Sequence, residues 1–211
     1  TVGNIMTKDS IISTEEMVAE TLAEIEANAQ SGGQVSGVAT GLADLDAMTT
    51  GFKPGDLIIL AARPSMGKTS LALSLAKHVS YELPSAERKR VLMFSMEMGK
   101  TQIGMRWLSV LHDVPLHDMR AGALSPVQYG RLSNALEEAS VAQFDLEESG
   151  TLTMEQLAAK ARRLSREQGL GLIVVDYLQL ISDSGNKNAS KAERVGEISR
   201  ALKQLAKELG I

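Results

Sequence analysis

Short blocks of consecutive apolar residues alternate along this chain with stretches in which apolar positions recur every three or four residues. The blocks are Asp56-Leu57-Ile58-Ile59-Leu60-Ala61, Val91-Leu92-Met93-Phe94-Ser95 and Leu170 to Val175, and Ala142 to Leu146 is a further candidate strand. Continuous apolar runs, unlike the in-out alternation of a half-solvated strand, predict strands covered on both faces. Helical spacing predicts helices over Ser70 to Ala76, Ile103 to Leu111, Pro126 to Ala139 and Met154 to Gln168, the last capped by Thr151 or Thr153. Leu42, Leu45 and Met48 mark a short helix, Lys53-Pro54-Gly55-Asp56 a turn and Leu83 to Arg90 a loop, and a Lys-rich helix precedes Gly210-Ile211. Strands alternating with helices need crossovers, so the expected fold is α/β with a mostly parallel, doubly wound sheet.

The first stretch reads differently. Residues 1–12 carry no period, and Ser13-Thr14-Glu15-Glu16 has the form of a capping box. Met17, Val18, Leu22 and Ile25 then form an apolar stripe opposite an acidic face, and Ser31-Gly32-Gly33 stops the helix. Two units are expected: residues 1–36 as lead-in and linker helix, and residues 37–211 as one core. The stripe needs a partner, either its own chain folded back or a neighbouring subunit.

Composition narrows the classes. The 211 residues are 44% hydrophobic, enough for one sizeable core. The absence of cysteine excludes a disulfide scaffold and a thiol nucleophile, and suits a reducing cytosol. No apolar run approaches the ~20 residues needed to span a bilayer, and no signal peptide opens the chain, so a cytoplasmic protein without membrane contact is expected. His78, His112 and His117 lack a metal-ligand spacing and read as solvated or capping residues. A net charge of −4 and 3% aromatics leave any nucleic-acid contact to a local patch or to a site that several chains build together.

Candidate chemistry concentrates after three of the blocks. Ala62-Arg63-Pro64-Ser65-Met66-Gly67-Lys68-Thr69 joins an expected strand to an expected helix. Such a loop aims backbone N–H groups, here those of Ser65, Met66, Gly67, Lys68, Thr69 and Ser70, and the positive end of a helix dipole at one point. Lys68 supplies a mobile charge for the β- and γ-phosphates of a nucleotide, and the Thr69 hydroxyl can ligate Mg²⁺. Ala62 replaces the first glycine of the usual pattern, and an ordinary βα turn is the alternative. Asp176 ends the last apolar block, where an acid needs a partner: the metal of a bound nucleotide, or a nearby arginine. Tyr177 and Gln179 are candidates to orient it. Glu97, two residues past the second block, either aims a water at the γ-phosphate or serves as a helix N-terminal acid.

The span Ser182 to Arg194 is polar, with Lys187, Lys191 and Arg194 as its cations, and reads as a mobile loop that contacts DNA or as a plain surface loop. Arg162, Arg163 and Arg166, and the run Arg88-Lys89-Arg90, read as solvated surface.

Three of these segments, the loop 62–69, Phe94-Ser95-Met96-Glu97-Met98 and Asp176-Tyr177-Leu178-Gln179-Leu180-Ile181, resemble in order the motifs of the DnaB family of replicative DNA helicases. Thr40-Gly41, Leu45-Asp46, Gly51 and Pro54-Gly55 are similar to the entry of its RecA-like core, and Glu193 to Glu208 also matches, so the resemblance runs from about Val38 to Ile211. It implies a RecA-like P-loop NTPase core whose ring of six hydrolyses ATP with Mg²⁺ between subunits and moves along single-stranded DNA. It implies Lys68 and Thr69 for phosphate and metal, Asp176 as the strand-end acid and Glu97 as the water-positioning glutamate. It further implies that helix 14–29 grips a neighbouring subunit, with a primase and a helicase loader as other partners. The family's later strands, second DNA loop and arginine finger would follow Ile211, so this segment alone is expected to bind nucleotide weakly and turn it over slowly. Two other readings remain: a RecA- or RadA-like recombinase ATPase, and an ATP-binding module that hydrolyses nothing.

Overall fold

The computed structural model describes residues 12–30, 35–63, 65–178, 181–182 and 190–211, with the side chains of 28, 30, 182 and 191 excepted. Its centre is a parallel sheet in the order β2–β1–β4, formed by Phe144–Glu148, Val91–Ser95 and Leu172–Asp176. Val91 pairs with both Phe144 and Leu172, and Ser95 with both Glu148 and Asp176, so the three carboxyl ends lie level at one edge. A second parallel pair, β3 (Leu152–Thr153) with β5 (Ile181–Ser182), lies apart from this sheet.

Both faces of β1 are buried, and its alternate residues point to opposite cores, as the pleat requires. Leu92 and Phe94 join Leu157, Ala161, Ile198 and Leu202 of α8 (Met154–Gln168) and α9 (Lys191–Leu209). Val91 and Met93 join Leu73, Ala76, Ile103 and Trp107 of α3 (Lys68–Lys77) and α4 (Lys100–His112). Trp107 stacks on Phe144 with ring centroids 4.2 Å apart. Helices therefore cover both faces of a parallel sheet, the α/β arrangement expected. The Thr153 hydroxyl caps α8 by accepting from Gln156 N, and Ser190 caps α9 by accepting from Glu193 N. α2 is Ala43–Thr49.

Several elements depart from expectation. Leu57 to Leu60 is not a strand, and Ile58 and Ile59 are 47% and 63% exposed. The turn before it is tied down: Gly55 N donates to the Ile211 carbonyl at 2.8 Å, and Lys203 pairs with Asp56 at 3.2 Å. Beyond Asp56 no described neighbour supplies a ladder, and the segment instead lines a groove of about 700 Å³ together with β4 and α9. The single helix expected over Pro126 to Ala139 is two, α6 (Pro126–Leu132) and α7 (Ala135–Val141), preceded by α5 (Leu116–Ala121). The Ser133 hydroxyl donates to the Gly130 carbonyl at 2.6 Å, a local bond that competes with helix continuation. A π-helical turn, His78–Glu82, extends α3. His112 is not solvated: its side chain is 5% exposed, 3.7 Å from Glu138 of α7.

The helix α1 (Thr14–Gln30) starts as its sequence requires, with Glu16 N donating to the Ser13 hydroxyl at 3.1 Å. Among the described residues its stripe is not covered by its own chain: Met17, Val18, Leu22 and Ile25 are 45–57% exposed. The stop at Ser31-Gly32-Gly33 lies outside the described residues. Among the described residues, no helix is long and apolar enough to cross a membrane.

Candidate functional site

The site is built at the level carboxyl edge of β1 and β4. Gly67 is the N-cap of α3 with φ +86°, a left-handed conformation that a β-carbon would strain. Among the described residues nothing lies within 4 Å of where that β-carbon would sit, so this glycine answers a backbone demand, not a shortage of space. Ser65 also sits at positive φ, +65°, and Ser65 to Gly67 are exposed. Lys68 and Thr69 open α3, where the first N–H groups of the helix have no partner within it.

These two residues reach across to β4. Lys68 Nζ lies 2.9 Å from Asp176 Oδ1, and the Thr69 hydroxyl donates to Asp176 Oδ2 at 2.7 Å. Asp176 is 6% exposed, and its partner is Lys68, not an arginine. The lysine contact satisfies charge without hydrogen-bond alignment, so among the described residues Oδ1 has no hydrogen-bond partner. The Tyr177 ring sits beneath the same cation, 4.9 Å from its centroid to Nζ. A buried carboxylate with an unused lone pair beside a hydroxyl suits a hard divalent cation, and Lys68 beside it suits phosphate.

Glu97 lies at the same edge. Met96 N donates to the Asp176 carbonyl at 3.0 Å, which ties the loop after β1 to the end of β4. Met96 is buried while Glu97 is exposed, and among the described residues Glu97 has no hydrogen-bond or ion-pair partner. It precedes α4 by three positions and does not cap it, since Gly99 is the N-cap. Lys68, Asp176 and the Glu97 loop are thus brought to one rim, where a nucleotide phosphate and its metal would fit.

The candidate DNA-contacting cations are not gathered in one loop. Lys187, like Gln179, lies outside the described residues, whereas Lys191 opens α9 and Arg194 is exposed on its first turn. The capping box at Ser190 starts the helix there, which the polar composition concealed. Arg162 is held by Glu208 at 2.7 Å, and that pairing raises its pKa. Sequence reasoning missed Ser95, which holds the Glu97 loop; a hydroxyl at the end of an apolar block was the available signal.

Comparison with known proteins bears on the family and the fold. Residues 37–211 match the DnaB-like helicase C-terminal domain. The chain is 39% identical to the replicative DNA helicase DnaB of Geobacillus stearothermophilus and 38% identical to the replicative DNA helicase DnaC of Bacillus subtilis. In both, the match covers 93% of this chain and 42% of the relative, so the chain spans less than half of either helicase. One solved ATPase domain superposes with a TM-score of 0.83 at 30% identity, over 94% of this chain and 68% of that one. A DnaB-like replicative helicase, solved in a study of its interactions with primase, gives 0.81 at 31%, over 97% and 48%. The RecA-like fold and the sequence match together place this chain in the DnaB-like helicase C-terminal domain family.

Proposed function

We propose that this chain is the ATPase motor part of a replicative DNA helicase, coupling ATP hydrolysis between ring subunits to movement on single-stranded DNA and strand separation. The observation that carries this reading is the contact of Lys68 and Thr69 with Asp176 at the sheet edge that also presents Glu97. In this reading Lys68 leaves Asp176 for the β- and γ-phosphates, while backbone N–H groups from Ser65 to Ser70 hold their oxygens. Thr69 and Asp176 would hold Mg²⁺, which when bound neutralises charge on the phosphates. Glu97 orients a water in line with the γ-phosphorus: the P–O bond to that water forms as the bond to the β–γ bridging oxygen breaks, and the carboxylate accepts the proton.

The exposed stripe of α1 supports assembly. An apolar helix face left in water is unfavourable unless another surface covers it. Val127, Tyr129, Leu136 and Val141 of α6 and α7 are 51–89% exposed and supply a receptor of matching character. The proposed occupant is α1 of a second copy, so that each subunit grips the next around a ring of six. Residues 1–36 then act as joint and 37–211 as motor. Arg194, with Lys187 and Lys191, is assigned to the DNA path, where six copies would gather positive charge that one acidic chain lacks. Likeness to a helicase studied with primase makes a primase a candidate partner, with a loader beside it, in the cytoplasm.

The test is Glu97→Gln in the complete, assembled protein. ATP affinity should stay within about twofold while hydrolysis falls by about a hundredfold or more. Unchanged turnover would refute the catalytic reading. A log–log salt slope for DNA affinity that is unaltered by Lys187→Ala with Lys191→Ala would remove those cations from the DNA path.

A further inference from the structure

We infer that Ser95 is a positioning residue for Glu97: its hydroxyl closes the turn Met96-Glu97-Met98 and so fixes where that carboxylate points. The inference rests on the water-orienting role proposed for Glu97. Ser95 is the last residue of β1, 3% exposed, and its hydroxyl donates to the Met98 carbonyl at 2.7 Å. This one bond spans the segment with Glu97 at its apex.

The two ends of the turn are held independently. On one side Met96 N donates to the Asp176 carbonyl at 3.0 Å, and the Ser95 carbonyl accepts from Ser149 N at 3.4 Å. On the other, the Gly99 carbonyl accepts from Gln102 N and Ile103 N, which anchors the start of α4. Glu148 lies beside this corner as well, since a β-carbon on Gly99 would lie 3.1 Å from its Oε1. Ends held this way still leave the peptide planes around Glu97 free to rotate, and the Ser95 bond removes that freedom from inside the turn. A loop carboxylate that must hold water in line tolerates little error, and a displacement of about 1 Å can lower a rate on the order of a hundredfold. The Glu97 side chain has no partner of its own among the described residues, so its direction depends on its backbone.

The experiment measures ATP hydrolysis with single-stranded DNA and binding of a fluorescent ATP analogue for Ser95→Ala, Ser95→Thr and Ser95→Cys in the complete, assembled protein. Ser95→Ala should lower kcat about tenfold or more while KM and analogue affinity stay within about twofold. Thr, which keeps the donor, should restore most of the rate, and Cys, close in size with a weaker donor, should fall between. In a Glu97→Gln background Ser95→Ala should cause no further loss, because both changes act on the same water. Full turnover in Ser95→Ala with intact binding would overturn the inference. So would an equal further loss in the Glu97→Gln background, which would place its effect elsewhere. Failure of the underlying reading is separable, since Glu97→Gln would then itself keep full turnover.

Discussion

Leu57 to Leu60 and Val91 to Ser95 both lead into a loop of the candidate site at the same rim of the molecule, yet they are held in different ways. Val91 to Ser95 has a parallel partner on each side and a packed core on each face. Leu57 to Leu60 is fixed where it begins, through Gly55 and Asp56, and is largely open to solvent afterwards. Apolar content makes a segment willing to be a strand; paired N–H and C=O groups make it one. The consequence reaches the candidate site. Asp176 ends β4 and Glu97 follows β1, two paired strands, whereas Lys68 follows a lead that is unpaired among the described residues and is placed from the other side, by the packing of α3 through Leu73 and Ala76.

The contrast can be broken by substitution. Phe94→Ala, at a side chain with no exposure, should cost about 3–5 kcal/mol in urea unfolding of the 1–211 chain. The matching change Ile59→Ala should stay within about 0.5 kcal/mol. A comparable cost at both sites would mean that Leu57 to Leu60 is packed after all. Hydrogen exchange asks the same question of the backbone: amides of 57–60 should exchange about a hundredfold faster than those of β1 and β4. Equal protection would reject the difference.

Smaller effects lie behind these. Thr153→Ala removes the N-cap of α8, which packs against Leu92 and Phe94, and should cost about 1 kcal/mol; the Tm of the variant reports it. The smallest concerns the far end of α3. Burial of Glu82 raises its pKa, but hydrogen bonds from Lys77 and His78 outweigh this and hold it below the usual 4.5. A lowered folded pKa contributes stability above the unfolded value that is lost as pH falls through and below about 4.5. Because Glu82 is 42% exposed, the loss should be only a few tenths of a kcal/mol. Tm compared between pH 6 and pH 4 should fall slightly less in Glu82→Gln than in the parent chain.

Periodicity and local chemistry were enough for much of the fold. The runs Val91 to Ser95 and Leu170 to Val175 named their strands, and Thr153 with Gln156 named the start of α8. Such features act within a few residues, so they are written in adjacent letters. The split of α6 from α7 and the early start of α9 turned on single serine hydroxyls, whose choice of partner an apolar count does not register.

By itself, the sequence singled out the candidate residues of this protein and the kind of element on which each sits: a glycine-kinked loop opening a helix at Lys68, and acids at the ends of apolar runs at Glu97 and Asp176. Only the tertiary structure decided that Lys68 pairs with Asp176, that the Ser95 hydroxyl bonds the Met98 carbonyl and that, among the described residues, Leu57 to Leu60 goes without a ladder. The physical reason is range. Propensities and caps act between near neighbours, whereas these contacts and the missing ladder depend on which distant segments the packed sheet brings together.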